Sequence, residues 1–227
     1  MKPASLGGAL RAAWAALLLE LVVAGSGLAM AADPAQLGIE AIAPEESAGA
    51  LAEGEWTLYL NGEFDAAAPA RLAALVAQRK ISRASVYLNS TGGSLLAAMA
   101  IGRLLREHEF DTHVGRRAED PRQPAPGACY SACPFAFAGG RRRFLDAGAI
   151  IGVHRTVNRV PVPDELAFEQ VVSAQATSYL GEMGVSPELF HIMQNMPRDG
   201  IFLLTPDEAV RLNLATDRLS AVSSQAP

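Results

Sequence analysis

Lysine is almost absent from this chain. Lys2 and Lys80 are the only two in 227 residues, which leaves a single lysine beyond the extreme N-terminus to act as a catalytic base. Cysteine is equally scarce, with Cys129 and Cys133 the only pair. Four Cys or His ligands at zinc-site spacing therefore cannot be assembled, and no metal or other cofactor is expected. Aromatic residues make up 6% of the chain, and basic residues do not outnumber acidic ones: 19 against 24, for a net charge of −5. That balance excludes a nucleic-acid binder driven by phosphate neutralisation. After the N-terminal segment no apolar run approaches the roughly 20 residues of a membrane-spanning helix.

Half of the residues are apolar and 19% are charged, the composition of a folded chain long enough to bury a substantial core. Lys2 and Arg11 precede an apolar stretch from Ala12 to Leu28, interrupted by Glu20, and Ala29-Met30-Ala31 has the small-x-small pattern of a signal-peptidase site. Residues 1–31 are read as a signal peptide, with an uncleaved membrane anchor as the alternative, so the mature chain is expected to be exported and periplasmic. Residues 32–54, rich in Ala, Glu, Gly and Pro, are read as a flexible arm. One domain over 55–220 and a tail over 221–227 complete the expected organisation.

Within that domain, hydrophobic periodicity and turn residues predict alternating strands and helices. Strands are expected over 56–60, 84–88, 112–114, 141–145, 150–154 and 201–204, with a last extended piece at 215–219. Helices are expected over 69–80 (capped by Asp65), from the Gly92-Gly93 turn to about Glu107, over 134–138, from the Asp164 cap to Gly184, from Ser186-Pro187 to Met196, and over 206–212. Gly115 to Gly127, with its prolines and charges, reads as a flexible loop. Such alternation implies an α/β domain with a largely parallel sheet flanked by helices.

Three features could carry chemistry. Leu88-Asn89-Ser90-Thr91-Gly92-Gly93-Ser94 ends a strand in a Gly-Gly turn that opens a helix; free amides there could hold an oxyanion, or the glycines could serve only a helix entry that needs positive φ. No Gly-Lys-Ser/Thr follows, so a phosphate loop is excluded. Cys129-Tyr130-Ser131-Ala132-Cys133-Pro134 sits before a short helix, where Ser131 is either a helix cap or a nucleophile with the Ala132 amide beside it. Two cysteines four apart lie within disulfide reach across one helical turn; a bond bracing Ser131 and a pair of buried free thiols are both open. The strand Ile150 to His154 closes on a histidine that could be a general base or a structural residue. His108, His113 and His191 show no partner at useful spacing, and Arg141-Arg142-Arg143 reads as a solvated strand.

The order of these features resembles the Clp-type serine peptidases and, more broadly, the Clp/crotonase superfamily. The matching stretches are Leu58 to Phe64, Val86 to Ser94 with the helix behind it, Ser131-Ala132, Arg143-Phe144, His154 at a strand end and, more weakly, Thr205 to Val210. The resemblance implies a spiral of repeated ββα units, with Ser131 as nucleophile, His154 as base, and Gly93 and Ala132 as oxyanion-hole donors. Asp199 is the nearest acid for the third position, about two residues out of register. Thr91 stands where the peptidases usually carry proline. Related signal-peptide peptidases use a serine–lysine dyad, which the lysine inventory disfavours. The expected function is an exported serine hydrolase acting on peptide or acyl substrates, with a homo-oligomer as a family expectation. A non-catalytic binding or assembly module on the same fold is the alternative, and a crotonase-type acyl-CoA enzyme the second alternative.

Overall fold

The computed structural model describes residues 36–44, 54–119, 124–155, 163–197 and 199–218. The expected signal peptide and the tail lie outside them. Ten strands and six helices follow in chain order: β1 (Gly38–Ile42), β2 (Trp56–Asn61), α1 (Ala68–Arg79), β3 (Ala84–Asn89), α2 (Leu95–Glu107), β4 (Asp111–Arg117), β5 (Pro124–Pro126), β6 (Ala128–Tyr130), α3 (Cys133–Ala138), β7 (Arg143–Leu145), β8 (Ile150–Val153), α4 (Glu165–Glu182), α5 (Glu188–Gln194), β9 (Phe202–Leu204), α6 (Pro206–Arg211) and β10 (Asp217–Arg218). They form a mixed α/β fold with a largely parallel sheet flanked by helices.

The larger sheet runs β1-β2-β3-β4-β7-β10, with β5 attached to β4. Its centre is parallel from β2 to β10, and β1 adds an antiparallel edge. Strands β2 and β3 are buried on both faces, which is why they read as continuous apolar runs. Leu58, Leu60, Val86, Leu88 and Val114 share one core with Leu72 and Val76 of α1 and Ile101 and Leu105 of α2. The alternate side chains form a stacked row across the strands, Tyr59 on Tyr87 (5.3 Å), Tyr87 on His113 (4.5 Å) and His113 on Phe144 (4.7 Å). His113 also meets Asp146 at 3.2 Å. It therefore has the partner that sequence spacing did not reveal, and its surroundings are those of a structural residue.

Four expectations change. Gly38–Ile42, inside the stretch read as an arm, is a strand in full register with β2; Ile39 and Ala41 pack on the core while Gly38 and Glu40 face out. Residues 45–53 of that stretch lie outside the described residues. Asp65 does not cap α1, whose N-cap is Ala67. Instead its carboxylate takes both Arg71 guanidinium nitrogens and the amides of Leu37 and Ala67, and the Arg71 hydrogen bond holds it well below the ordinary carboxylate range. Part of the expected 115–127 loop is a hairpin, because β5 pairs antiparallel with β4. Arg143 is buried rather than solvated: it donates to the carbonyls of Gly140, Asn213 and Leu214, and burial brings its pKa down to about 10. Arg142 pairs with buried Asp111.

The second sheet is small: β6 parallel to β8, and β8 antiparallel to β9. The helix α3 leaves it and crosses α2 by glycine contact, since a Cβ on Gly139 would strike the Gly102 carbonyl. Tyr179 of α4 donates to the Phe135 carbonyl at 2.6 Å and closes this side of α3.

Candidate active site

Ser131 and His154 follow the ends of neighbouring parallel strands. In the β6–β8 pair Tyr130 is opposite Gly152, so the chain leaves both strands on the same edge. The Ser131 amide donates to the Gly152 carbonyl at 3.0 Å, and Ser131 turns at φ 62°, the left-handed region that a residue with a β-carbon seldom enters. This turn throws the side chain towards β8. His154 Nε2 lies 2.7 Å from Ser131 Oγ.

The other ring nitrogen defines the tautomer. His154 Nδ1 is 2.6 Å from the Arg155 carbonyl oxygen. A carbonyl only accepts, so the proton belongs on Nδ1, and Nε2 presents its lone pair to the hydroxyl. Asp199, the acid expected at the third position, is not among the hydrogen-bond partners of His154; it lies in the turn between α5 and β9. The reason is local. The Arg155 carbonyl, one residue further along the chain, meets Nδ1 instead. The Arg155 side chain reaches Glu169 of α4 at 3.7 Å.

The Gly-Gly turn is brought against the serine by backbone pairing. The Ser90 amide donates to Ala128 O and the Tyr130 amide to Ser90 O, at 2.8 and 2.9 Å. Ser90 Oγ accepts from the Gly92 amide at 3.1 Å. On the far side, Phe64 N–H donates to Gly92 O and Ser94 N–H to Phe64 O. Gly92 and Gly93 both have positive φ, 118° and 117°. A Cβ on Gly92 would stand 2.5 Å from Ser131 Cβ, and one on Gly93 would stand 2.6 Å from the Phe64 backbone. Sequence marks the Gly92-Gly93 pair, with Gly93 as the implied oxyanion donor; Gly92 is the glycine whose missing side chain makes room for the serine. Ser90 was also missed, because a buried serine tying a loop together carries no sequence signature.

The amides of Gly93 and Ala132 have no acceptor among the described residues, whereas those of Gly92 and Ser131 are engaged. Cys129 and Cys133 are joined by a disulfide that spans Ser131. A cavity of about 260 Å³ opens beside the turn, lined by Gly62, Glu63, Asn89, Ser90, Thr91, Ala128 and Tyr130. The single lysine of the domain, Lys80, terminates α1 just before β3, at the opposite end of the parallel strands from Ser131. Among the described residues no group of Asp, Glu, His and Cys could hold a metal ion, and no helix is long and apolar enough to cross a membrane.

No family model and no curated protein sequence matches this chain. Solved structures do. A point mutant of ClpP1 from Listeria monocytogenes superposes with a TM-score of 0.55 at 15% identity, over 73% of this chain and 92% of that one. The chain has a ClpP-like fold. A serine-to-alanine mutant of the 1510-N membrane-bound stomatin-specific protease superposes with a TM-score of 0.51, also at 15% identity, over 72% of this chain and 78% of the other.

Proposed function

We propose that this protein is an exported serine hydrolase of ClpP-like fold, cleaving peptide or other acyl substrates through Ser131. The observation that carries the reading is the 2.7 Å approach of His154 Nε2 to Ser131 Oγ on a left-handed turn. In this mechanism Ser131 Oγ attacks the substrate carbonyl carbon while its proton passes to His154 Nε2. The carbonyl oxygen gains negative charge and accepts from the free amides of Gly93 and Ala132. The imidazolium then gives its proton to the leaving group as the scissile bond breaks, and water, activated by the same nitrogen, releases the acyl group from Ser131. The cavity lined by Thr91 and Tyr130, the sequence neighbours of Gly92 and Ser131, offers space for part of a substrate beside the Gly-Gly turn.

The Arg155 carbonyl keeps the imidazole in the productive tautomer, which is one of the two services a triad carboxylate performs. It supplies only a dipole against the imidazolium that forms, so turnover is expected to be slower than with a full carboxylate. That same absence favours a second reading, a binding module that retains the serine without turning over. The two separate on fluorophosphonate labelling of the oxidised 32–227 chain. The hydrolase reading expects labelling that is lost in Ser131→Ala and falls by about 10³-fold or more in His154→Ala. Absence of labelling in well-folded protein would leave the binding module.

A further inference from the structure

The disulfide has a place that chain stability alone does not explain. The ring closed by Cys129 and Cys133 contains Ser131 and Ala132, the hydroxyl and the amide that must face one carbonyl group together. Upstream, the segment is well held, since the amides of Tyr130 and Ser131 donate to Ser90 and Gly152. Downstream, α3 is buried and tied at Phe135 by Tyr179 and at its far end by Arg106, but the turn itself has fewer ties. Among the described residues the Ala132 amide has no acceptor, and the Ala132 carbonyl accepts from Phe135 of its own helix. Ser131 holds φ 62°, a conformation that costs energy and persists only where the surroundings impose it. Among the described residues, the Cys129–Cys133 bond is the covalent tie that fixes the start of α3 to the end of β6 across this turn. Both sulfur-bearing residues are fully buried.

Resting on the reading of Ser131 as nucleophile, we propose that Cys129 and Cys133 are positioning residues, whose bond aims Ser131 Oγ and the Ala132 amide, so that the enzyme is competent only after oxidation. The reduced chain folds with the same sheets and helices, but its elbow relaxes from the left-handed turn and the oxyanion amide swings out of line. Activation consumes one small-molecule disulfide. A Cys129 or Cys133 thiolate attacks one of its sulfurs and expels a thiol; the second cysteine then displaces the other thiol, leaving the protein disulfide and two thiols in solution. Burial slows exchange at the finished bond, so the oxidised state persists once it has formed. A hydrolase built this way is silent in a reducing compartment and active in an oxidising one.

The test uses the 32–227 chain in three forms: refolded with oxidised glutathione, refolded under a phosphine reductant, and as a Cys129→Ala/Cys133→Ala double variant. A fourth sample, the oxidised protein treated with phosphine under native conditions, does not depend on refolding. Fluorophosphonate labelling rate, near-UV circular dichroism and a mass-spectrometric thiol count are read on each. Labelling at least about 10-fold slower in the thiol and alanine forms, with an unchanged near-UV spectrum, is the expected result. Oxidised glutathione should restore the rate of the reduced wild type and leave the double variant slow. Equal rates with and without the bond would overturn the proposal, and so would slow labelling that tracks loss of the near-UV spectrum, since the bond would then serve folding. No labelling of the oxidised form would overturn the hydrolase reading itself and this inference with it.

Discussion

Gly92 shows how much of the site depends on one missing atom. Its absent Cβ would fall 2.5 Å from Ser131 Cβ and 2.9 Å from Ser131 Oγ, at a φ of 118° that alanine resists. Gly92→Ala should therefore displace the serine and slow fluorophosphonate labelling by about 100-fold, the cost of an ångström-scale misplacement. Gly93→Ala meets the Phe64 backbone instead, so thermal denaturation should register it more strongly than Gly92→Ala. Sequence could show that glycines were needed there, but not which one faces Ser131, because that depends on the pairing of Ser90 with Cys129. Ser131 and His154 are singled out by the order of the motifs, and of the two only His154 closes a strand that the hydrophobic pattern predicts. The partner of His154 was not legible at all, because a main-chain carbonyl has no residue type. Asp199 is visible as an acid, whereas the acceptor that Nδ1 meets is Arg155 O.

At the scale of elements, the central strands and long helices could be read because burial on both faces of β2 and β3, and on one face of α1 and α2, writes a strong pattern. The edge strand β1 could not. It is five residues long and contains glycine and glutamate, and what holds it is a contact made 28 residues away: Asp65 accepts the Leu37 amide while clamping Arg71, which in turn donates to Leu37 O. Asp65→Asn should cost about 1 kcal/mol at pH 7, since the pair is part-exposed and screened. The sign follows from the depressed carboxyl pKa. The contribution is fully present above the unfolded-state value near pH 4 and is lost as pH falls towards the much lower folded-state value. Urea denaturation of both proteins from pH 7 to pH 2 should show the difference shrinking below about pH 4. Tyr179 plays a comparable part between α4 and α3. Its buried hydroxyl, pushed well above the ordinary tyrosine range by desolvation, donates to Phe135 O. Tyr179→Phe should cost about 1–2 kcal/mol in the same assay.

Across the whole molecule, the helix that follows Ser131 is held at its far end by Arg106 from a distant part of the chain and by Arg143 just beyond the helix. Arg106 of α2 donates to the carbonyls of Ala138, Gly139 and Gly140, and Arg143 of β7 donates to Gly140, Asn213 and Leu214. Together they tie the larger sheet, α3 and the segment leading into β10. The run Arg141 to Arg143 read as a solvated strand because three like charges in a row usually are. Only the fold reveals that the third lies beneath the C-terminal segment, where main-chain carbonyls replace water as its acceptors. Arg143→Ala strands those carbonyls in the interior and should cost about 3 kcal/mol, lowering the melting temperature by about 10 °C for a domain of this size. Arg143→Lys keeps the charge but cannot present the guanidinium fork to three acceptors, and should recover only part of the loss. Because Arg106 and Arg143 share Gly140 O, each still satisfies it when the other is lost, so the effects of Arg106→Ala and Arg143→Ala should sum to less than the effect of the double variant, and a double-mutant cycle measures the difference. Additive costs would mean that the two arginines brace independent parts of the fold, and the path from β10 through α3 to Ser131 would have no energetic counterpart.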